Sequence, residues 1–269
     1  MESGIDNEAA IRLSVFAGVF AAMALLEMLM PRKDRTQPRS TRWLTNIGVV
    51  VIDTLAVRLL FPVLAVGVAV YSTAQGWGLL NLVDLPFWLK VLVAAVLLDF
   101  AIYWQHVASH KIPLLWKVHR MHHADRDIDV TTGARFHPVE IVLSMLYKFV
   151  VIIVLGAPAL GVFIFEVLLN GSAMFNHANW RMPLWADRIV RQIFVTPDMH
   201  RVHHSIHGEE TDSNYGFNLS VWDRMFGTYI DQPRDGHDGM TIGLKEFQTD
   251  KPSNILWCLL LPFRGRGGN

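Results

Sequence analysis

The sequence predicts an all-α integral membrane protein, a helical bundle of about four membrane helices with a cytoplasmic histidine-rich helical cap. Apolar residues make up 52% of the 269 residues and charged residues only 18%, whereas ordinary soluble domains are about 25% charged. The apolar residues fall in runs of about 20, the length that crosses a bilayer as a helix. Eleven of the twelve histidines lie between residues 106 and 207, outside those runs.

The first three apolar runs are residues 11–30, 46–71 and 85–104, and each predicts a membrane helix. The second run contains Asp53 and Arg58, which could neutralise each other, and no role is predicted for them. The head of the chain is acidic, whereas a secretory signal peptide needs positive charge. The first run is therefore interpreted as a retained span.

Residues 139–175 are mostly apolar but are interrupted at Gly156-Ala157-Pro158. Proline removes a backbone donor and disfavours a continuing helix, so the pattern predicts a tight helical hairpin. Each arm is about 18 residues long, barely enough to cross a bilayer. The sequence is therefore compatible with two alternatives for this segment, a pair of spanning helices or a re-entrant hairpin.

The loop between the first two runs is strongly basic, which predicts that it is cytoplasmic. Its basic residues are Arg32, Lys33, Arg35, Arg39 and Arg42. Three membrane helices in residues 11–104 then bring residues 105–138 out in the cytoplasm, as a first histidine segment. The hairpin of residues 139–175 returns the chain to the same side, where residues 176–269 form a second histidine segment and cap. Residues 1–269 are thus predicted to be a single membrane-embedded domain.

Charge and cysteine content exclude several classes of protein. Lys plus Arg equals Asp plus Glu at 24 each, so no basic surface indicates nucleic-acid binding. The apolar content excludes a disordered chain. The one cysteine, Cys258, excludes a disulfide framework, a thiolate zinc site and a cysteine-ligated iron–sulfur cluster.

The histidines recur at spacings that place imidazoles on one face of a helix. One pair is four residues apart, and two sets have the form His-x-x-His-His. Neutral imidazole binds iron, zinc, copper or nickel, and one tetrahedral zinc takes four ligands. Eight or nine imidazoles are too many for one ion and suit two. The predicted metal ligands are His106, His110, His119, His122, His123, His177, His200, His203 and His204.

Other residues near these histidines are candidates either as further metal ligands or for orienting one. They are His137, Asp99, Asn179 and Asp198. Metal-bound histidine usually donates its other ring N–H to a carboxylate or a carbonyl. Asp99 lies seven residues before His106, on the same face of a continuous helix, and Asp198 closely precedes His200. Two histidines in polar sequence are predicted to be solvent-exposed, His207 and His237.

These segments resemble the sterol desaturase and fatty acid hydroxylase superfamily of integral-membrane di-iron enzymes. The resemblance runs from about residue 85 to 231. Residues 98–110, 115–123 and 200–204 resemble its three histidine boxes. Shorter motifs of the superfamily are matched by residues 135–140, 175–179, 214–216 and 222–229.

The resemblance implies two non-haem iron ions, activation of O₂, and hydroxylation or desaturation of a C–H bond in a lipid such as a sterol or a fatty acyl chain. Many members carry Arg where this chain has Val107, a departure that leaves the predicted ligands intact. The His-Pro-Gly-Gly haem motif of a cytochrome b5 segment is absent. The expected electron donor is therefore a separate protein of the cytochrome b5 or ferredoxin type, with its reductase.

Two other functions use the same histidines. A di-zinc membrane hydrolase would cleave lipid esters or amides with a metal-activated water, but such enzymes usually have a carboxylate close to the ligands and the boxes contain none. A metal transporter would place its ligands within the membrane spans, whereas these histidines lie outside the predicted spans.

Overall fold

The structure is a computed structural model that describes residues 7–265. Within that range the chain is helical and contains isolated β-bridges but no β-strand. The helices are α1 Glu8–Leu29, α2 Arg39–Leu60, α3 Ala65–Ala74, α4 Phe87–Lys111, α5 Pro113–His123, α6 Pro138–Leu155, α7 Ala159–Asn176, α8 Leu184–Val190, α9 Pro197–His203, α10 Gly208–Thr211, α11 Val221–Met225, α12 Gly236–Gly239 and α13 Ile255–Leu260.

Five helices in the described part of the chain are long and apolar enough to cross a membrane. They are α1, the stretch Arg39–Ala74 that joins α2 to α3, and then α4, α6 and α7. The all-α membrane bundle is thus confirmed, with five such helices rather than about four, because both arms of the hairpin qualify.

The second and third predicted spans differ in detail from the structure. Residues 46–71 do not form one straight helix, because Pro62 lacks a backbone donor and holds Phe61 in an extended conformation. In the third span, α4 continues past residue 104 to Lys111. His106 and His110 therefore lie on the last turns of a membrane-length helix.

The predicted hairpin is formed by α6 and α7. Gly156 closes α6 in the left-handed conformation, at φ 63° and ψ 41°, where glycine has no Cβ to clash. Its backbone also touches Gly78, where a Cβ would lie 2.1 Å from the Gly156 nitrogen. From this turn α7 returns through the centre of the bundle, packed against α1, α3 and α4.

The basic loop between α1 and α2 packs against both histidine segments. The Lys33 N–H donates to Asn179 Oδ1 at 3.0 Å, and the Thr36 N–H donates to Asp127 Oδ1 at 2.9 Å. Glu27, at the end of α1, is fully buried and accepts the Asn179 N–H at 3.0 Å. The loop and the two histidine segments therefore lie on one side of the bundle.

An ion-pair network fixes the loop that follows α5. Arg42, fully buried in α2, donates to both oxygens of Asp125 at 2.9 and 2.7 Å and to Asp129 Oδ2 at 2.5 Å. Burial alone would raise the pKa of Asp125, but the charge and hydrogen bonds of Arg42 lower it to about 2. Arg42 thus links two carboxylates of the acidic loop to the membrane bundle.

Candidate metal centre

Nine histidines gather into two groups whose ring nitrogens lie within 4.8 Å of one another. These are all nine predicted ligands, and they form the only such groups in the described part of the chain. The first group is His106, His110, His119, His123 and His203; the second group is His122, His177, His200 and His204. The groups adjoin, because the rings of His123 and His204 stack with centroids 4.6 Å apart.

Each His-x-x-His-His set is divided between the two groups, not kept as one three-nitrogen patch. On α5, His119 and His123 belong to the first group and His122 to the second. The set that begins on α9 divides the opposite way, with only its middle histidine in the first group. Residues four apart share a face more closely than residues three apart. Two neighbouring groups can therefore share two short helices.

In the first group, ring nitrogens are oriented by the loop after α10 and by α6. His106 Nδ1 lies 2.7 Å from the Tyr215 carbonyl, and His203 Nδ1 lies 2.6 Å from the Ser213 carbonyl. His119 Nδ1 lies 2.6 Å from Glu140 Oε1. Because a carbonyl only accepts, the Nδ1 atoms of His106 and His203 carry the proton and donate it, and Glu140 orients the ring of His119 through its Nδ1.

In the second group, the oxygens that orient the rings come from other elements. His122 Nδ1 donates to the Arg135 carbonyl at 3.1 Å. His177 Nδ1 lies 2.7 Å from the Ala173 carbonyl and 2.6 Å from Asn176 Oδ1. Both rings are thereby held with Nδ1 protonated.

Each group contains two nitrogens that face each other without a proton between them. His106 Nε2 lies 3.1 Å from His203 Nε2, and His122 Nε2 lies 3.1 Å from His177 Nε2. In each of these four rings Nδ1 carries the proton, so a neutral ring offers a lone pair at Nε2. Opposed lone pairs at this distance repel unless a cation lies against both, and two imidazoles on one metal ion are about 3 Å apart.

Burial keeps these rings neutral, which is the protonation state that binds a metal. Burial first, and then neighbouring histidines, lower the pKa of His122 and His200 well below the ordinary value. Burial likewise lowers the pKa of His177 to about 4 and that of His203 to about 3. The donor set therefore fits two ions that prefer imidazole.

A cavity of about 470 Å³ reaches the first group from between the membrane helices. His106 and His119 line it, together with apolar side chains such as Ile141 and Phe217. The exposed members of its lining come from α1, α2 and α7, so the cavity opens between these helices. Its walls suit the apolar part of a lipid.

A second opening lies on the cap. It is a surface pocket lined by His110 and Trp116 and by polar residues of the last third of the chain, including Asp212 and Lys245. The Trp116 and His110 rings are 4.9 Å apart. The first group is thus approached from two different surfaces.

The two aspartates expected to orient histidines have other partners. Asp99 lies on the same helix as His106 but accepts hydrogen bonds from Asn218 Nδ2 and Trp222 Nε1, both at 2.8 Å. Asp198 pairs with Arg201 and Arg32 rather than with His200. The predicted link of these carboxylates to the histidine rings is therefore wrong, because buried cations and amides compete for them.

The remaining candidates have structural contacts. Asn179 binds the backbone of Lys33. His137 caps α6, accepting the Val139 N–H at Nδ1 and donating from Nε2 to the Leu259 carbonyl, so it belongs to neither group.

The exposure predicted for the last two histidines holds only in part. His207 is half-buried and lies 2.8 Å from Asp235. The prediction for His237 is wrong, because this side chain is buried beside Asp198.

Several residues that orient the histidines were not predicted in that role. Glu140 and the carbonyls of Ser213 and Tyr215 are the clearest cases. Asp223 fixes the Tyr215 segment by accepting the Tyr215 and Gly216 N–H groups at 2.7 and 2.9 Å. Glu140, Tyr215 and Asp223 lie within the motifs at 135–140, 214–216 and 222–229, whereas Ser213 lies outside them. Residue identity does not show which backbone carbonyls will face a histidine ring.

Comparison with known proteins decides the family. A sequence profile of the fatty acid hydroxylase family matches residues 91–228, about half of the chain. The chain belongs to the fatty acid hydroxylase family. The match confirms the resemblance predicted for residues 85–231, and its interval contains all nine predicted ligands.

Two curated relatives are each less than 30% identical to this chain, and both are longer than it. An alkylglycerol monooxygenase of Xenopus tropicalis is 29% identical over 251 residues, which cover 90% of this chain and 52% of that protein. The ornithine lipid hydroxylase OlsE of Rhizobium tropici is 28% identical over 234 residues, 82% of this chain and 67% of that protein. The chain spans about half the length of the alkylglycerol monooxygenases that it matches. No solved structure matches this member of the family.

Proposed function

We propose that this chain is an O₂-dependent oxidoreductase that uses two non-haem iron ions to hydroxylate or desaturate a C–H bond of a lipid. The observation that carries the proposal is the pair of adjoining all-histidine groups at the end of an apolar cavity between membrane helices. The family and its relatives support it, since two of them are named as a lipid monooxygenase and a lipid hydroxylase.

The chain's own residues would hold, orient and shield the irons. The nine histidines of the two groups would supply the ring nitrogens, and Glu140 and the loop carbonyls hold the rings in place. Bound iron would supply the redox chemistry needed to reduce O₂ and cleave an unactivated C–H bond, which side chains alone do not perform. Burial of the second group, whose four histidines are at most 1% exposed, would shield an ion there from bulk water.

The stoichiometry of the proposed reaction requires an external electron donor. Hydroxylation of one C–H bond consumes one O₂, two electrons and two protons and releases one water; desaturation consumes the same electrons and protons and releases two waters. We propose that a separate donor of the cytochrome b5 or ferredoxin type, with its reductase, supplies the electrons. The cap opening at His110 and Trp116 supports this, because it brings the surface close to the first group.

We further propose that the histidine cap faces the cytoplasm. The basic loop of residues 31–38 packs against the cap, and basic loops remain on the cytoplasmic side of a membrane. The single domain of residues 1–269 then acts from within the bilayer, with its lipid substrate entering between the helices.

Metal content and cofactor requirement test the proposal together. Protein purified gently in detergent is analysed by elemental mass spectrometry, and lipid oxidation is followed with O₂ and a reductant. About two irons per chain, with turnover that needs both O₂ and reductant, is the expected result. Zinc is first exchanged for iron, because imidazole sites take up zinc during overexpression.

The same assay separates the hydrolase alternative. Lipid ester or amide cleavage that proceeds with zinc, without O₂ and without reductant, would replace the oxidase proposal. Full turnover with intact metal in both His122→Ala and His203→Ala would show that the histidine groups are not the site.

A further inference from the structure

One face of each of two membrane helices carries polar residues into the cavity. On α2 the lining residues are Val50, Asp53, Thr54, Val57 and Arg58, and on α6 they are Glu140, Ile141, Ser144, Met145 and Lys148. Both sets follow the spacing of a single helix face. Because α6 starts beside the histidines, Glu140 lies closest to them and Lys148 about 12 Å further along the axis.

Two carboxylates in this lining lack a compensating cation. Asp53 is 7% exposed and Glu140 is 8% exposed. Asp53 Oδ1 and Glu140 Oε2 are buried and have no hydrogen-bond partner among the described residues. The two groups line the same cavity from α2 and α6, which pack against each other. A buried carboxylate without a donor is costly, so such an atom indicates a missing partner.

The cationic side chains around the cavity either pair with another carboxylate or are exposed. Lys148 Nζ binds Glu166 Oε1 at 2.7 Å, and Arg12 binds the other oxygen of Glu166 at 2.8 Å. Arg58 is exposed, and no ion pair joins it to Asp53 in the described residues. The neutralisation of Asp53 by Arg58 considered from the sequence is therefore not formed, and the acidic pair stays open to a ligand.

We propose that Asp53, with Glu140 beside it, is a subsite for the hydrogen-bond donors of a lipid head group, either hydroxyl or ammonium. This inference rests on the proposed function and names the substrate class: an amphiphile whose donor-bearing head lies next to the first histidine group. Glu140 binds His119 directly and both line the cavity. The oxidised carbon is then near the head group, and the apolar chain extends past Val57 and Leu169 toward the opening.

The test uses binding as well as turnover. Three probes share a hexadecyl chain: the glycerol ether with two free hydroxyls, its di-O-methyl derivative, and hexadecylamine. Binding to the iron-loaded full chain in detergent is measured by thermal shift and by tryptophan fluorescence. The proteins compared are the parent, Asp53→Leu, and Asp84→Leu, which makes the same change in an exposed loop.

The parent protein and Asp84→Leu are expected to bind at least one donor-bearing probe about tenfold or more tightly than the di-O-methyl probe. Asp53→Leu is expected to lose that preference while it binds the di-O-methyl probe as the parent does and keeps its iron. The ratio between the two donor-bearing probes then tells hydroxyl from ammonium.

Two results would overturn the inference. One is equal binding of all three probes by the parent protein, and the other is an unchanged preference in Asp53→Leu. Loss of iron from Asp53→Leu would also count against it, because Asp53 would then act through the metal centre. A donor preference in a protein that oxidises no lipid would refute the proposed function and leave the subsite standing.

Discussion

The two histidine groups share both His-x-x-His-His sets yet differ in access and in support. The first group lines the membrane cavity through His106 and His119 and reaches the cap opening through His110. No residue of the second group lines either opening. The first group therefore adjoins two openings, whereas the second group is enclosed.

The groups also depend on different parts of the fold. The first is oriented by Glu140 and by the loop that Asp223 fixes. The second is oriented by the ends of two segments, at Arg135 and at residues 173–176. Arg135 in turn donates to Asn46 Oδ1 at 2.6 Å, beside the Arg42 network. A metal in each position is thus expected to respond to a different set of mutations.

Removal of one ligand from each group has the largest expected effect. His203→Ala and His177→Ala should each reduce the metal content from about two ions per chain to about one. Each should lower turnover by more than about a hundredfold, beyond the effect of residues that only orient a ligand. Elemental analysis and lipid oxidation measure this, with His207→Ala, outside both groups, as the control. Two retained ions in either variant would remove that histidine from the ligand set.

The orienting residues should have a smaller effect that differs between the groups. Glu140→Ala removes the one hydrogen-bond acceptor that His119 Nδ1 has among the described residues, so we expect turnover to fall about 10- to 100-fold. Asn176→Ala leaves His177 Nδ1 bonded to the Ala173 carbonyl, so we expect a loss of only a few-fold. The comparison is made at saturating iron, and an equal loss in both variants would contradict the unequal support described above.

Combined variants can show which residues orient the ligands of each group. With His177→Ala only the first group is loaded, and Asp223→Ala should then weaken the remaining metal about tenfold while Asn46→Leu has little effect. With His203→Ala the roles should reverse. Competition with a chelator measures both affinities. Equal sensitivity in the two backgrounds would mean that the groups share one support.

A bulky side chain in the cavity should have the smallest effect on the metals. Ile141→Trp narrows the cavity beside the first group, so we expect the KM for a lipid to rise several-fold with two irons retained. The matched change Leu143→Trp lies on the exposed face of the same helix and should leave KM unchanged. If both variants behave alike, the lipid does not approach through this cavity.

Much of the bundle and all nine grouped histidines could be predicted from the sequence, because apolar runs and helical spacing are local signals. The break at Pro62 was not predicted, because a proline within a long apolar run is compatible with either a kinked helix or two helices. The partners of Asp99 were not visible, since Asn218 and Trp222 lie more than a hundred residues away in the chain. Nor could spacing reveal that each motif divides between two groups, which depends on how α5 and α9 pack together.

The two openings of the first group lie in different surroundings: one is between the membrane helices and the other is on the surface of the cap. Under the proposed function, a compound that partitions into the bilayer enters between the helices and competes with the lipid substrate. A water-soluble reagent would enter the cap pocket that His110 and Trp116 line and would leave the lipid route free. Lipid and reductant can therefore add in either order, and the oil–water partition coefficient of an inhibitor should determine which of the two it displaces.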